Sequence, residues 1–288
     1  MYSDVVGDLL AIDETTATLR SRDGLTTVLL ASVVIAKLAP PSTADELALE
    51  RVAAAGWRAA ETAELGGWLL RASDGFTGRG NSVLPLRPPG MPLDDALVAA
   101  KAWYAARGLP VRLQVPVEAR RLLDAELGER GWAPSTDVHV LAARLDNLPA
   151  TPEHGPTVSL DVTPGEGWFA RYRDGAGALA AARGLLTRHD NVCFAEVRDS
   201  GRILAVGRGV VDESWLGVTA VEVDPQHRRQ GLASAVMLAL RDWAVPQGAS
   251  RGYLQVSSDN AAAVGLYTAL GYWHHHDYRY RDEPKPLG

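Results

Sequence analysis

The residues best suited to bind a charged ligand lie in segment 225–233, which reads PQHRRQGLA. Arg228 and Arg229 can pair with anionic oxygens, because a guanidinium matches phosphate in a bidentate geometry. Gly231 has no Cβ, so an anion can approach the backbone there, and Ala233 is small enough to allow the same approach. The segment therefore predicts a local anion site.

This basic segment is predicted to be a loop that leads from a strand into a helix. Val221 and Val223 end an alternating apolar run, and Pro225 stops the strand because it lacks an N–H for the ladder. Apolar residues at helical spacing follow, so we predict a helix beginning near Gly231. The amides of a first helical turn are unpaired and carry the positive end of the dipole, which suits a pyrophosphate. The expected anion contacts are Arg228, Arg229, Gln230, Gly231, Leu232, Ala233 and Ser234.

Two other interpretations of the basic loop are a solvated helix start and a nucleic-acid contact. Arginines at a helix N-terminus oppose the dipole, which disfavours the first unless an anion is bound. The net charge of −6 argues against a broad nucleic-acid face. The loop also lacks the Gly-Lys-Ser/Thr of a P-loop and the first two glycines of a dinucleotide fingerprint.

A second motif, NAAAVGLYTALGY at 260–272, follows the loop after one helix and one strand. Together the two segments resemble the signatures of the GNAT N-acetyltransferase superfamily. Arg228, Gly231 and Ala233 match its coenzyme A-binding motif Arg/Gln-x-x-Gly-x-Gly/Ala. The second signature is matched by Asn260, Ala263, Leu266, Tyr267, Leu270 and Gly271. The resemblance covers 165–282 and implies acetyl-CoA as the acyl donor, with no metal.

The resemblance also implies roles for residues around the cleft. The pantetheine arm is expected between the strands that end at Val223 and Val256, with the backbone of Val221 and Val223 pairing with its amides. A backbone N–H near Val223 would hold the thioester oxyanion, and Asn260 would hydrogen-bond the arm. Tyr267 is a candidate general acid for the leaving thiolate, its alternative role being a packed aromatic.

The general base is left unassigned by the sequence. A base is needed because only about one lysine side chain in 2,500 is neutral at pH 7. Strand alternation places Glu222 on the face opposite Thr219, Val221 and Val223. Glu196 and Glu213 are the other acids considered.

Composition is that of a globular protein of two or three domains: 288 residues, 47% hydrophobic and 22% charged. The single cysteine, Cys193, lies in an apolar run and is expected to be a buried packing residue. The first residues do not follow a signal-peptide pattern, and no apolar run is long enough to span a membrane. We expect a cytoplasmic protein.

The order of elements predicts an α+β fold with a mixed sheet flanked by helices, the GNAT fold, duplicated and preceded by a small β module. The module, 1–40, has a turn at Asp23-Gly24 and a third strand within 25–38, and it resembles an SH3-like barrel. Residues 45–148 form a first copy and 158–282 a second copy, because KAWYAARGLPVRLQV and RDWAVPQGASRGYLQV match in order. The arrangement resembles an actinobacterial group of GNAT proteins.

The two copies differ at the anion loop. The first copy has VLPLRPPGMPLDDA where the second has VEVDPQHRRQGLAS, so the first copy is expected to bind no coenzyme A. It would serve a structural or acceptor-recognising role. Its glycine-rich stretch with Arg79 is interpreted as a turn into a strand.

Three further segments of the sequence have local patterns with a structural or functional interpretation. Ser42 or Thr43 is expected to cap a helix, supported by Glu46. The histidines at 274–276 are assigned to a strand without metal, because neighbouring side chains in a strand point to opposite faces. Trp168 and Tyr172, on a helix predicted over 165–186, are candidates for the acceptor pocket or for core packing.

The sequence therefore predicts an N-acetyltransferase that moves an acetyl group from acetyl-CoA to a primary amine, either a small molecule or a protein lysine. The alternatives are a non-catalytic acyl-CoA sensor and a nucleic-acid-associated protein. The acceptor and the oligomeric state stay open.

Overall fold

The computed structural model describes residues 4–21, 23–36, 39–172 and 179–284, which fall into two units, Met1–Pro41 and Ser42–Gly288. In the first unit β1 (Asp8–Ile12), β2 (Thr16–Ser21) and β3 (Gly24–Leu29) form an antiparallel sheet in that order. The carboxylate of Asp13 accepts hydrogen bonds from the amides of Thr15 and Thr16 and closes the turn between β1 and β2. The expected small β sheet is confirmed, whereas its likeness to an SH3 barrel stays a prediction.

The third strand is shorter than predicted. It ends at Leu29, and Leu30–Ser32 form a 3-10 turn instead of continuing the strand. The amide of Leu30 still donates to the carbonyl of Thr15, in register with the ladder, and the chain leaves the sheet after this bond. Residues 37 and 38 of the predicted strand lie outside the described residues.

The second unit is one mixed sheet with helices on both faces, and none of its described helices is long and apolar enough to cross a membrane. The helices are α1 (Thr43–Gly56), α2 (Leu93–Ala105), α3 (Arg121–Glu129), α4 (Glu166–Arg171), α5 (Leu179–Leu186), α6 (Leu232–Ala244) and α7 (Ala261–Ala269). The strands are β4 (Glu61–Leu65), β5 (Trp68–Ala72), β6 (Val83–Pro85), β7 (Arg112–Pro116), β8 (Ala133–Arg144), β9 (Val158–Asp161), β10 (Val192–Asp199), β11 (Arg202–Asp212), β12 (Trp215–Val223), β13 (Arg251–Ser257) and β14 (Trp273–Asp282).

Helix α1 begins with a capping box, but its second member differs from the expected one. Ser42 caps the helix by accepting from the amide of Asp45, and the Asp45 carboxylate accepts in return from the amide of Ser42. Glu46, the residue expected in this role, is buried and accepts from the amide of Ala119. With Ser42 as the N-cap, a capping box requires the acid at the third helical position, which is Asp45. Glu46 is at the fourth position and cannot reach back to the amide of Ser42.

The two copies exchange their last strands. The sheet order is β4-β5-β6-β7-β14-β8-β13-β12-β11-β10-β9. Strand β14 of the second copy pairs with β7 of the first, and β8 of the first copy pairs with β13 of the second. One continuous sheet of eleven strands results.

The duplication inferred from the repeated Leu-Gln-Val is visible in the strand pairing. Leu113 of β7 pairs in parallel with Val83 of β6. Leu254 of β13 pairs in parallel with Val218 of β12. The two segments therefore occupy equivalent positions, each in the parallel pair of its own copy.

Two helical layers sandwich the second copy. Helix α6, with the inner face of α7, covers one side of the sheet. On the opposite side lie α4 and α5, together with α1, which reaches β11 and β12 from the first copy. The single helix predicted over 165–186 is described as two helices, and 173–178 lie outside the described residues. Cys193 is buried as expected, and burial raises the pKa of its thiol to about 11.

Helix α6 approaches β11 closely because two glycines leave room for it. A Cβ on Gly207 would collide with Cγ1 of Val236, and one on Gly209 would lie 3.0 Å from Cδ2 of Leu240. A branched, buried valine has little freedom to move away. The position of α6, and hence of its N-terminus, therefore depends on these glycines.

We predict that Gly207→Ala lowers the free energy of unfolding by roughly 1–3 kcal/mol, as expected for overpacking a well-filled core. The matched control is Gly265→Ala on exposed helix α7, where a Cβ would meet nothing within 4 Å. Removing a helical glycine should raise stability by about 0.5–1 kcal/mol. Urea unfolding of both variants checks the signs, and a Gly207→Ala variant as stable as the parent would contradict the close approach.

Candidate active site

A cleft opens in the sheet between β12 and β13. These parallel strands are paired only over Trp215–Val218 and Arg251–Leu254. Strand β13 continues to pair with β8 as far as Ser257, and β12 continues beside β11 as far as Val223. The two strands therefore diverge after Val218 and Leu254, at the place where the sequence predicts the cleft.

The backbone groups of Val221 and Val223 point into this cleft. The amide of Asp224 donates to the carbonyl of Leu204 on β11 at 2.7 Å. Because backbone groups of successive strand residues point to alternate sides, those of Val223 and Val221 face away from β11. In the described part of the chain no strand pairs with them on that side. They are placed to pair with an extended ligand.

A β-bulge at Ala220 changes which side chains face the same side. Ala220 has a φ of 54°, and the register shifts so that Thr219 pairs with Arg208 and Glu222 with Val206. Val206 belongs to the core beneath α4 and α5, so Glu222 lies on that face together with Thr219. The expectation that Glu222 and Thr219 lie on opposite faces is wrong, because simple alternation does not hold across a bulge.

Val221 and Val223 have the opposite orientation to Glu222. Both side chains pack against the core beneath α6, as expected from alternation after the bulge.

The other two candidates for the general base, Glu196 and Glu213, lie outside the cleft. Glu196 on β10 pairs with Arg198 at 2.6 Å, and Glu213 lies in the β11–β12 turn, 3.9 Å from Arg51.

The loop before α6 presents a run of unpaired amides, which we call the amide nest (residues 228–234). Arg229 and Gly231 have φ values of 63° and 78°, a left-handed conformation that turns successive N–H groups toward one side. Helix α6 begins at Leu232, one residue after the predicted Gly231. Among the described residues, no group accepts a hydrogen bond from the amides of Arg228, Arg229, Gln230, Gly231, Leu232, Ala233 or Ser234.

A buried carboxylate fixes the entry to the nest. Asp224 is 2% exposed and accepts from the amide of Gln226, and its Oδ2 lies 3.0 Å from Arg171 and 2.6 Å from Arg202. The hydrogen bond from Gln226 is the main cause of its lowered pKa, to which both arginines add. The acid that follows β12 is thereby neutralised by its own partners.

The arginines of the nest are available for a ligand. Arg228 and Arg229 are both exposed, and neither forms an ion pair with a described residue. With Asp224 already paired, two guanidinium groups and the nest amides share one small surface. Such a combination binds an anion of high charge density, as pyrophosphate is.

Helix α7 lies beside the cleft. The side-chain oxygen of Asn260 accepts from the amide of Ala263, so Asn260 caps the helix. Tyr267 is half-buried, and its ring lies 6.3 Å from that of Tyr272. Burial raises the pKa of Tyr267 to about 12, so the phenol is protonated at neutral pH.

The face of the sheet opposite α6 gathers positive side chains from both copies. Arg208 is 1% exposed and donates to the carbonyls of Leu186 and Gly56. Burial lowers its pKa to about 10. Arg79 donates to Oε1 of Gln255 at 2.6 Å, and its guanidinium lies 4.6 Å from the centre of the Trp57 ring. Sequence reasoning missed this use of Arg79, since its partner is 176 residues away.

Trp168 is a core residue. It is 1% exposed, its Nε1 donates to the carbonyl of Ala195, and its ring lies 5.2 Å from that of Phe194. Tyr172 is also buried and meets Phe76 edge-on at 6.3 Å. Of the two roles considered for these residues, packing is the one that the contacts favour.

The first copy has no equivalent anion site. Prolines replace N–H donors in the loop before α2, and the first turn of that helix carries Asp94 and Asp95, which repel an anion. The guanidinium of Arg120 donates to the carbonyls of Pro85 and Leu86 just beyond the parallel pair of β6 and β7. Carbonyls at the position that corresponds to the open backbone of the second copy are therefore already bonded in the first.

A separate groove of about 590 Å³ lies along α6. Its walls are segment 151–160 and apolar α6 residues such as Leu238 and Trp243, with Gly231 and Ser234 at one end. No residue of β12, β13 or α7 lines it. We assign it no part in the chemistry of the cleft.

Comparison with known proteins agrees with this geometry. The pattern that defines the family "Probable histone acetyltransferase Rv0428c C-terminal" matches residues 43–281. The Mycobacterium tuberculosis protein named probable histone acetyltransferase Rv0428c is 31% identical over 288 residues, covering 96% of this chain and 88% of that protein. The Bacillus subtilis protein named uncharacterized N-acetyltransferase YobR is 28% identical over 240 residues, covering 81% of this chain and 96% of that protein.

A solved structure shows the same fold. The GCN5-related N-acetyltransferase from Kribbella flavida superposes with a TM-score of 0.66 at 20% identity, covering 84% of this chain and 97% of that one. The chain therefore belongs to the Rv0428c C-terminal family and is a GNAT-type, acetyl-CoA-dependent N-acetyltransferase.

Proposed function

We propose that this protein transfers the acetyl group of acetyl-CoA to a primary amine, on a small molecule or a protein lysine, by direct attack in a ternary complex. The observation that carries the proposal is the amide nest, which stands at the mouth of a cleft with free backbone groups. A pyrophosphate on the nest and an amide-bearing arm in the cleft satisfy donors and acceptors that have no partner among the described residues.

Each part of the coenzyme has a set of residues suited to it. Arg228 and Arg229 neutralise phosphate charge, while the amides from Gln230 to Ser234 donate to its oxygens. Val221 and Val223 pair with the pantetheine amides as an added strand would. Asn260 uses Oδ1 as a cap, so its side-chain NH₂ is the group left to contact the arm.

In the reaction the amine displaces the thiolate of coenzyme A, and two protons must be transferred: one leaves the attacking nitrogen and one is added to the departing sulfur. The amine nitrogen bonds to the thioester carbonyl carbon, and the oxyanion that forms is held by the backbone N–H near Val223. The ammonium proton of the attacking nitrogen passes to a base, and the carbon–sulfur bond then breaks. The Tyr267 hydroxyl gives its proton to the departing sulfur and regains one from solvent.

Glu222 is the acid best placed to be the base. The bulge at Ala220 directs it to the face opposite α6, beside Thr219. Glu196 is tied to Arg198, and Glu213 lies in a distant turn at the far end of β12. Glu222 is thus distinguished from the other two acids by its position on the part of β12 that borders the cleft.

The first copy contributes to acceptor binding. Arg79 and Trp57 reach the cleft from the first copy and meet Gln255 and Arg208 of the second. Since the first copy lacks an anion nest of its own, we infer that it forms one wall of the acceptor site and binds no coenzyme.

Gly231→Glu is predicted to weaken coenzyme A binding by at least roughly 100-fold, because it places a carboxylate where phosphate oxygens must lie. Gly248→Glu is the matched control, since Gly248 is also left-handed, with a φ of 91°, and lies beyond the opposite end of α6. Calorimetric titration with coenzyme A measures both variants. Equal affinities for the two would contradict the nest as the phosphate site.

Tyr267→Phe is predicted to lower kcat by roughly 100-fold or more, the usual effect of removing a general acid, with coenzyme affinity nearly unchanged. Tyr272→Phe removes a neighbouring buried phenol and should keep its activity. Thiol release from acetyl-CoA with the best amine of a panel is the measurement. A Tyr267→Phe variant with full turnover would show that Tyr267 is not the general acid. If neither the parent nor any variant turns over acetyl-CoA, the alternative of a non-catalytic acyl-CoA sensor is favoured.

Glu222→Gln is predicted to lower kcat/KM by roughly 100-fold at pH 7, with a loss that shrinks as the pH rises. The reason is that an amine of pKa about 10.4 loses its own proton in alkaline solution and then needs no base. Glu196→Gln and Glu213→Gln serve as controls with the same change of charge. A loss that does not vary between pH 7 and 10 would assign Glu222 a role other than proton transfer.

A further inference from the structure

Three metal-binding side chains come together on the two central strands β8 and β14 of the sheet. They are His139 of β8 with His274 and Asp277 of β14. Nδ1 of His139 and Nε2 of His274 each lie 2.7 Å from Oδ1 of Asp277. All three ligand atoms lie within 4.8 Å of one another.

A β-bulge places two of these side chains on one face. His274 and Asp277 are three residues apart, a spacing that puts side chains on opposite faces of a regular strand. The register of β14 against β8 shifts between His274 and His276, so that His274 pairs with Leu141 and Asp277 with His139. Leu141 and His139 share a face, and the bulge therefore brings His274 to Asp277.

The other histidines of the run are engaged elsewhere. His276 is 3% exposed, and its Nε2 lies 3.0 Å from Oε1 of buried Glu50 on α1. His275 lies beside it, with the two Nδ1 atoms 2.8 Å apart. The sequence interpretation assumed that neighbouring histidines in a strand point to opposite faces, and this does not hold at the bulge, where the Nδ1 atoms of His275 and His276 lie 2.8 Å apart. It did not anticipate a partner from β8, which comes 135 residues earlier in the chain.

We propose that His139, His274 and Asp277 bind one divalent transition-metal ion, with Zn²⁺ as the best-suited ion. Two imidazole nitrogens and a carboxylate oxygen are a ligand set that zinc accepts, at about 2.0–2.2 Å from each atom. Ligand atoms around a tetrahedral ion at these distances are about 3.3–3.6 Å apart, so each of the present 2.7 Å contacts has to open by roughly 0.6–0.9 Å, a shift that side-chain rotation can supply.

The surroundings leave room for the remaining ligands. The side chains of His139, His274 and Asp277 are 31%, 52% and 41% exposed. Water can therefore complete the coordination and ions can enter from solvent. Since structural zinc sites are usually closed by four protein ligands, we expect exchangeable binding rather than a permanently bound ion.

Binding of one metal ion would link the two copies of the fold through their exchanged strands. His139 belongs to the first copy, and His274 and Asp277 to the second, so one ion cross-links the exchanged strands β8 and β14. A ligand that binds only the folded state raises its stability. The inference does not depend on the proposed acetyl transfer.

The test is a Zn²⁺ titration of full-length, tag-free protein stripped with a chelator, followed by calorimetry and thermal unfolding. We expect one equivalent of Zn²⁺ and a rise in Tm on saturation. His274→Asn and Asp277→Asn should each weaken binding by at least roughly 10-fold, the effect that even indirect ligand partners have. His154→Ala removes an exposed histidine from segment 151–160 and should bind as the parent does.

Cobalt adds a readout that reports the ligands themselves. Co²⁺ bound by the parent should give visible absorption bands that are lost in His274→Asn while its circular dichroism is unchanged. No stoichiometric Zn²⁺ binding by the parent, or equal binding by parent and both ligand variants, would overturn the proposal and leave these residues as a hydrogen-bonded cluster.

Discussion

The site depends on backbone amides that find no acceptor among the residues the structure describes. A helix leaves its first N–H groups without acceptors, and here the preceding loop extends that run from residue 228 to residue 234. Because Asp224 is buried among its own partners, no acid in the described part of the chain pairs with Arg228 or Arg229. The position of the nest in turn depends on α6 lying close over Gly207 and Gly209, and on β12 separating from β13 at its base.

The duplicated architecture shows how one fold is used in two ways. Both copies hold a Leu-Gln-Val segment in a parallel pair, yet only the second keeps the backbone beyond that pair open. In the first copy Arg120 occupies the corresponding carbonyls, and acidic residues begin the helix. The two copies thus share a fold and differ in the residues of the loop before the helix. The exchange of β8 and β14 keeps both copies in one sheet.

Local patterns in the sequence predicted the local parts of this structure. The strand, loop and helix around Arg228 and the helix with Tyr267 follow from residue type and spacing. The features that could not be predicted are non-local or break periodicity. The bulge at Ala220, the contact of Arg79 with Gln255 and the pairing of His139 with Asp277 each depend on strand neighbours distant in sequence. The division into segments 1–40, 45–148 and 158–282 stays a prediction.

Hydrogen exchange of the loop amides tests the central claim most directly. In the free protein the N–H groups of residues 229–234 should exchange rapidly, because no described group accepts from them. Saturating coenzyme A should slow these same amides strongly, and pantetheine without the phosphates should not. Protection already present in the free protein, or a coenzyme that protects other segments and leaves this loop exchanging at its original rate, would contradict the account.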